Sequence, residues 1–187
     1  MTSIFFIRHA QPDTSWKDDR TRPLTTQGFE DSNEVSTVLS KFNINLIYSS
    51  PYKRSFDTIA DFAKQRKMTI HTDERFKERK GGINHGSFLQ ERWNDFAFCE
   101  ENGETLGSVQ KRNIAALTEV IKRHPHKNVA IGTHGTALSV ILNYYDSSFD
   151  IEYFKQIWFC MPYILRVVFK NESIVKTEEI LRINRGY

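Results

Sequence analysis

Residues 3–11 of the chain read Ser-Ile-Phe-Phe-Ile-Arg-His-Ala-Gln, an apolar run that ends abruptly in Arg8 and His9. The continuous β-prone part of this run, residues 4–7, predicts a strand that is buried on both faces. Arg8 and His9 should then lie at its carboxyl end, where open α/β sheets bind their ligands. A guanidinium directly before an imidazole at that edge indicates an anion site that contains a nucleophile or a base.

Length and composition indicate one globular domain that spans residues 1–187. The chain is 39% hydrophobic, and its 26 basic and 23 acidic residues give a formal net charge of only +3. This balance argues against nucleic-acid binding, because Arg182, Arg185 and Tyr187 make only a small basic tail. Cys99 and Cys160 lack the spacing of a disulfide framework or a zinc site. With no signal peptide or membrane-spanning run visible, a cytoplasmic location is expected.

Apolar periodicity predicts strands that alternate with helices along the rest of the chain. A 3.6-residue pattern that includes Phe29 follows the candidate N-cap Thr25, and a later helix with Phe56 on its buried face follows a second short strand. Residues 128–133 form another buried strand, and a pair of strands ends the chain. We therefore expect an α/β fold, a three-layer α/β/α sandwich with a mostly parallel sheet.

Functional side chains follow three of the predicted strands. His9 and His134 each come directly after a buried strand, and Arg54 lies on the first turn of the helix that follows a third. In a doubly wound sheet these three strand ends can converge on one crevice. Two histidines and two arginines there predict a positively charged pocket for a phosphate, since guanidinium forks match tetrahedral oxygens.

The chemistry of such a pocket follows from the residue types that are present. The chain has no phosphate-binding P-loop, no carboxylate cluster for a metal and no thiolate motif, so an imidazole is the remaining nucleophile. The arginines and the second histidine would neutralise charge on the phosphate oxygens. An alcohol leaving group still needs a proton, and Glu78 on a glycine-rich loop is the best candidate for the donor. Glu74 and Glu104 remain alternatives.

Four segments resemble the motifs of the histidine phosphatase superfamily, whose fold is phosphoglycerate mutase-like, and they occur in the family's order. Residues 8–10, Arg-His-Ala, resemble its Arg-His-Gly signature. Residues 49–60 are similar to its Ser-Ser-Pro-x-x-Arg-x-x-x-Thr-Ala segment. Residues 76–86, with Glu78, resemble its acid-donor loop, and residues 133–135, Thr-His-Gly, its second histidine.

The resemblance implies a metal-independent phosphomonoesterase that acts on small phosphorylated compounds, with no cofactor. Carried over by position, His9 is the phosphorylated nucleophile, Glu78 is the proton donor, and Arg8, Arg54 and His134 hold the phosphate. Two alternatives stay open: a phosphoglycerate-mutase-type phosphoryl transferase, and a non-catalytic module that binds a phosphorylated ligand. The short chain favours hydrolysis over the mutase. Neither the physiological substrate nor the oligomeric state is indicated.

Substrate choice should depend on the segments around the phosphate pocket. These are the polar loop 12–23, which we interpret as a cover over the mouth of the site, and a helical insertion around residues 87–105. Aromatic side chains in them favour a substrate with an apolar or aromatic organic part; they are Trp16, Phe88, Trp93 and Phe96. The candidate substrate-contacting residues are Gln11, Ser15, His85 and Glu104.

Overall fold

The computed structural model describes residues 1–186, so Tyr187 of the predicted basic tail lies outside the described residues. Six strands form one mixed sheet. They are β1 (Thr2–Arg8), β2 (Leu46–Ser49), β3 (Ile70–Thr72), β4 (Asn128–Thr133), β5 (Cys160–Lys170) and β6 (Ser173–Asn184). The helices are α1 (Thr26–Leu39), α2 (Lys53–Arg66), α3 (Leu89–Asn94), α4 (Leu106–Arg123), α5 (Gly135–Tyr145) and α6 (Ile151–Ile157). Two short 3₁₀ helices cover Glu74–Phe76 and His85–Phe88.

The strand order is β3-β2-β4-β1-β5-β6. The first four strands of this order run parallel to one another, and the hairpin β5-β6 adds two antiparallel strands at one edge. The α/β sandwich with a mostly parallel sheet is therefore confirmed. The parallel strands β2, β4 and β1 are neighbours, so their carboxyl ends meet at one edge of the sheet.

Successive side chains of β1 enter two different cores, as the pleat of a strand requires. Ile4 and Phe6 pack in the cluster that includes α4 and α5, whereas Phe5 and Ile7 pack in the cluster that includes α1 and α2. All four side chains are at most 1% exposed. This double burial explains why the segment is a continuous apolar run.

The first helix begins at the predicted cap. The hydroxyl of Thr25 accepts a hydrogen bond from the Gly28 amide at 3.0 Å, which satisfies one of the amides left free at a helix start. Two aromatic side chains that we expected on buried helix faces are instead exposed, Phe29 at 48% and Phe56 at 37%. Each lies one position off the buried stripe of its helix, and in α1 that stripe is partly polar, since it includes Asp31 and two serines.

Only the first part of the predicted helical insertion 87–105 is helical. Only His85–Phe88 and Leu89–Asn94 are helical, and the chain from residue 95 to residue 105 is irregular. Asp95 ends the helix because its carboxylate accepts a hydrogen bond from the Ala97 amide at 2.8 Å, and such a local bond competes with helix formation. None of the helices within residues 1–186 has the length and hydropathy that crossing a bilayer requires.

Candidate active site

The sheet brings His9 and His134 together. Arg8 pairs with Thr133 across β1 and β4, so the residue after each strand lies beside the other. The His9 and His134 rings meet edge to face, with their centroids 5.2 Å apart. Ser50, which follows β2, is hydrogen-bonded to the His134 ring at 2.8 Å. The predicted convergence of three strand ends on one crevice is therefore present.

The hydrogen bonds of His9 determine its tautomer. Its Nδ1 lies 2.7 Å from the carbonyl oxygen of Ala10, which can only accept, so Nδ1 carries the proton. Nε2 is then the lone-pair nitrogen, and it accepts from Arg54 Nε at 3.2 Å. Burial first, and then the positive charges of Arg54 and Arg8, hold the pKa of His9 well below its usual range. His9 is therefore a neutral imidazole at pH 7.

Two buried guanidiniums flank His9. Arg8 donates from Nη1 to the carbonyl oxygen of Ile157. Its Nε is buried without a partner among the described residues. Burial lowers the pKa of Arg8 to about 10, against the opposing charge of Glu78, so Arg8 stays charged at neutral pH. Arg54 is 3% exposed, and burial also lowers its pKa. Two such guanidiniums can hold the oxygens of a phosphate.

We expected His134 to help neutralise the charge of the phosphate, but its ring carries no charge itself. Burial first, and then the charges of Arg54, His9 and Arg8, hold its pKa well below the usual range, so its ring is neutral. The side chain is fully buried, and its Nδ1 has no partner within residues 1–186. The positive charge beside His9 therefore comes from Arg8 and Arg54, and His134 supplies a neutral polar ring there.

Glu78 lies at the amino-terminal end of α5. Its carboxylate accepts backbone hydrogen bonds from Thr136 at 3.1 Å, from Ala137 at 3.3 Å and from Arg79 at 2.7 Å. An anion is favourable at this end of a helix, where amides are free and the helix dipole is positive. Because α5 begins directly after His134, these bonds hold the Glu78 carboxylate near that residue, and Glu78 and His9 line the same cavity.

The two alternative donors are bound elsewhere. Glu74 pairs with Arg20 at the surface, and its side chain is 56% exposed. Glu104 accepts two hydrogen bonds from Arg112, at 2.8 and 3.0 Å. Among these three carboxylates, only Glu78 lines the cavity that contains His9.

A cavity of about 770 Å³ opens over His9. Its lining includes Arg8, Arg54 and Glu78, together with Arg22 and Asp19 from the loop 12–23. The apolar part of the lining includes Leu89, Trp93, Leu106, Phe154, Trp158 and Met161. Of the aromatic residues that we expected near the substrate, Trp93 is in this lining, whereas Trp16, Phe88 and Phe96 are not.

The four candidate substrate-contacting residues are not brought together. His85 lines the cavity. Gln11 accepts from the Thr25 hydroxyl at 2.7 Å, and Ser15 donates to Asp13 at 2.6 Å, so both are engaged in local bonds outside the lining. Glu104 is paired with Arg112, as described above.

Sequence reasoning missed Asp19. Its side chain contacts Arg22 at 2.8 Å and Arg54 at 3.1 Å, and its backbone oxygen accepts from Arg54 at 2.6 Å. Asp19 therefore links the loop 12–23 to the phosphate pocket. The charged run around Trp16 was the only signal for this contact in the sequence, because a loop has no periodicity that predicts its partners. Within residues 1–186, no three His, Cys, Asp or Glu side chains are grouped to hold a metal ion.

Comparison with known proteins matches residues 4–175 to the sequence model of the histidine phosphatase superfamily (branch 1). The uncharacterized phosphatase PhoE of Bacillus subtilis is 28% identical over 147 residues, which cover 76% of each chain. Phosphoserine phosphatase 1 of Hydrogenobacter thermophilus is 27% identical over 150 residues, 72% of this chain and 71% of the relative.

Solved structures share the fold along nearly the whole chain. A phosphoserine phosphatase from Entamoeba histolytica, in complex with 3-phosphoglyceric acid, superposes with a TM-score of 0.78 at 22% identity, and covers 97% of this chain and 98% of its own. YhfR of Bacillus stearothermophilus gives a TM-score of 0.76 at 19% identity, with 93% and 94% covered. A mycobacterial glucosyl-3-phosphoglycerate phosphatase gives 0.73 at 18%, with 95% and 96% covered.

Proposed function

The chain belongs to the histidine phosphatase superfamily (branch 1) and is a phosphatase, and we propose that it hydrolyses small phosphate monoesters through a phosphohistidine on His9. The observation that carries this proposal is the tautomer of His9. Its Nδ1 donates to the Ala10 carbonyl, which leaves the Nε2 lone pair beside Arg54 in the cavity. A neutral ring whose second nitrogen is held in this way can act as a nucleophile.

In the first proposed step, Nε2 of His9 attacks the phosphorus atom of the ester. The Arg54 N–H that faces Nε2 must turn to a phosphate oxygen before this attack. As the N–P bond forms, the bond from phosphorus to the leaving oxygen breaks. That oxygen takes the proton that Glu78 must carry, as a carboxylic acid, when the ester is bound, and Glu78 is left as a carboxylate. Arg8 and Arg54 stabilise the charge on the remaining oxygens.

In the second proposed step, water attacks the phosphohistidine. The Glu78 carboxylate accepts a proton from this water, the N–P bond breaks, and inorganic phosphate leaves with His9 neutral again. In this sequence Glu78 carries the proton, and Arg8 and Arg54 neutralise the phosphoryl oxygens, so the proposed reaction uses no metal ion. The phosphoserine and 3-phosphoglyceric acid in the solved Entamoeba complexes support a small phosphate ester as the substrate class.

The test is an assay of p-nitrophenyl phosphate and a panel of phosphorylated metabolites in the presence of a chelator. We expect release of inorganic phosphate that the chelator does not reduce and that His9→Ala abolishes. Turnover that needs an added metal ion, or that survives in His9→Ala, would contradict the proposal. Product analysis on 3-phosphoglycerate separates the mutase alternative, which yields an isomer and no free phosphate.

A further inference from the structure

A buried ion cluster stands beside the proposed proton donor. Arg79, the residue after Glu78, contacts the Glu100 carboxylate at 2.5 Å, and Arg92 contacts the same carboxylate at 3.2 Å. The side chains of Arg79, Arg92 and Glu100 are 6%, 7% and 1% exposed. We call Arg79, Lys80 and Arg92 the leaving-group wall, because all three line the cavity next to Glu78.

The cluster holds more positive than negative charge. Two guanidiniums share the single carboxylate of Glu100, so the buried cluster carries one positive charge in excess, and within residues 1–186 the nearby Glu91 forms no ion pair with Arg92. Burial raises the pKa of Glu100, but hydrogen bonds from Arg79 and from the Gly82 amide outweigh it and lower that pKa to about 2. Glu100 is therefore fully ionised, and its one negative charge is the most that it can contribute to the cluster. An uncompensated buried charge is costly, which favours the binding of an anion.

Arg92 carries the unused donors. Its Nη1 donates to Glu100 and to the carbonyl oxygen of His85, whereas its Nε and Nη2 donate to no acceptor within residues 1–186. These two atoms form one edge of the guanidinium, which matches two oxygens of a carboxylate or phosphate. The Lys80 side chain, which forms no ion pair among the described residues, adds a second cation to the same wall.

The backbone holds this wall in place. Arg79 also donates to the carbonyl oxygen of Glu104 at 2.7 Å, and the Gly82 amide donates to Glu100 at 2.9 Å. A Cβ on Gly82 would lie 2.2 Å from the carbonyl oxygen of Glu101, so only glycine permits this close approach. Arg92 is thus linked through Glu100 to Arg79, the residue that follows Glu78, and such support is what a specificity-determining residue needs.

On the basis of the proposed function, we infer that Arg92 binds a second anionic group on the leaving group, and that the enzyme prefers phosphate monoesters of acidic alcohols. The phosphate to be cleaved occupies Arg8 and Arg54, and the second anion lies against the leaving-group wall. The preferred substrates therefore carry a carboxylate or another phosphate near the ester oxygen.

Three probes that differ at one end test this inference. They are sn-glycerol 3-phosphate, 3-phosphoglycerate and glycerol 1,3-bisphosphate, whose far ends are a hydroxyl, a carboxylate and a phosphate. We expect the wild type to prefer the two acidic probes in kcat/KM, and the larger of the two ratios identifies which anion the wall binds. A wild-type preference for the hydroxyl end would overturn the inference.

Variants assign the preference to Arg92. In Arg92→Met we expect the ratio of kcat/KM between the preferred acidic probe and glycerol 3-phosphate to fall about 10- to 100-fold, chiefly through KM, because a charge-assisted hydrogen bond is lost. Arg92→Lys should restore part of the ratio. The control Arg123→Met removes the same charge from a side chain that is 67% exposed on α4, and should leave the ratio unchanged. An unchanged ratio in Arg92→Met would refute the assignment.

Two further measurements test the second anion site, and the second of them does not depend on turnover. Lys80 is exposed, so Lys80→Met tests the wall without disturbing the buried cluster, and we expect its ratio to fall several-fold. Calorimetric binding of the three probes to His9→Ala needs no turnover, so it decides the inference even if no probe is hydrolysed and the proposed function fails. Equal affinities for the hydroxyl and acidic probes would contradict a second anion site.

Discussion

The phosphate pocket and the leaving-group wall are built in different ways. Arg8, His9 and His134 lie at the ends of neighbouring parallel strands, and their positions follow from the register of the sheet. The wall lies in a stretch with only short helices, and buried ion pairs around Glu100 hold it in place. This difference shows how the two tasks divide: regular structure positions the two histidines and Arg8, and a less regular segment carries Glu78 and the wall that we propose for the variable part of the substrate.

The largest effect should follow from removal of the nucleophile in the pocket. His9→Ala leaves no lone pair beside Arg54, so we expect kcat/KM to fall by about 10⁴-fold for every phosphate ester. Steady-state release of phosphate measures it, and the far-ultraviolet circular dichroism spectrum should stay unchanged. A loss that depends on the ester would show that a different group attacks phosphorus.

A smaller effect that depends on the substrate is expected at the junction of pocket and wall. Glu78→Gln cannot donate a proton, so we expect a fall of about 10²- to 10³-fold for alkyl phosphates. The loss should be much smaller for p-nitrophenyl phosphate, whose leaving group needs little protonation. The matched variants Glu74→Gln and Glu104→Gln should keep the wild-type ratio of activities on the two kinds of ester. If either of them loses much more activity on alkyl phosphates than on p-nitrophenyl phosphate, that residue is the donor.

In the wall, the main effect should be on stability. Glu100→Gln leaves two buried guanidiniums without their counterion, and we expect a loss of about 3–5 kcal/mol in the free energy of unfolding. Urea titration measures it, with Glu172→Gln as an exposed control that should lose no more than about 1 kcal/mol. Equal losses in the two variants would contradict the buried cluster.

The pH dependence of this stability has a definite sign. The pKa of Glu100 is lowered to about 2 from an ordinary value of 4.5. Its stabilising effect is therefore complete above about pH 4.5, and it is lost as the pH falls toward 2. The wild type should lose its advantage over Glu100→Gln across this range, which urea titrations at several pH values would show. A constant difference between the two proteins would be the contrary result.

The smallest effect is expected in the response of the His9 ring to pH. Because burial and two arginines hold its pKa well below 6.5, its ring should stay neutral, with the proton on Nδ1, as the pH falls from 8 to 6.5. Nitrogen-15 NMR of the histidine rings measures both the charge and the tautomer, and His9→Ala assigns the signal. A ring that is half protonated at pH 6.5, or that carries its proton on Nε2, would contradict the arrangement in the pocket.

The sequence predicted the pocket better than the wall for a physical reason. Residues 4–7 and 128–133 are continuous apolar runs, which buried parallel strands require, and each run is followed by the histidine that the sheet then positions. In these two segments the sequence pattern therefore predicts correctly where each histidine lies in the fold. The convergence of His9, His134 and Arg54 could therefore be anticipated from the strands alone.

The insertion shows where this agreement ends. Leu89 and Trp93 have the spacing of a helix, but the Asp95 turn stops it, and Phe96 instead accepts a hydrogen bond through its carbonyl from the Gly107 amide. The ion pairs of Glu100 join residues that are 8 and 21 positions away, and no periodicity reports such contacts. The contact between Asp19 and Arg54 could not be predicted from the sequence for the same reason.

The most direct test of the proposed chemistry is to trap the phosphorylated enzyme. Protein mixed with a rapidly cleaved ester and quenched in alkali should gain the mass of one phosphoryl group. Peptide mapping should place this group on His9, and it should be lost in acid, as a phosphohistidine is. The same experiment on His9→Ala should show no gain. Phosphate release by the wild type with no such adduct, or an adduct on another residue, would contradict a phosphohistidine on His9.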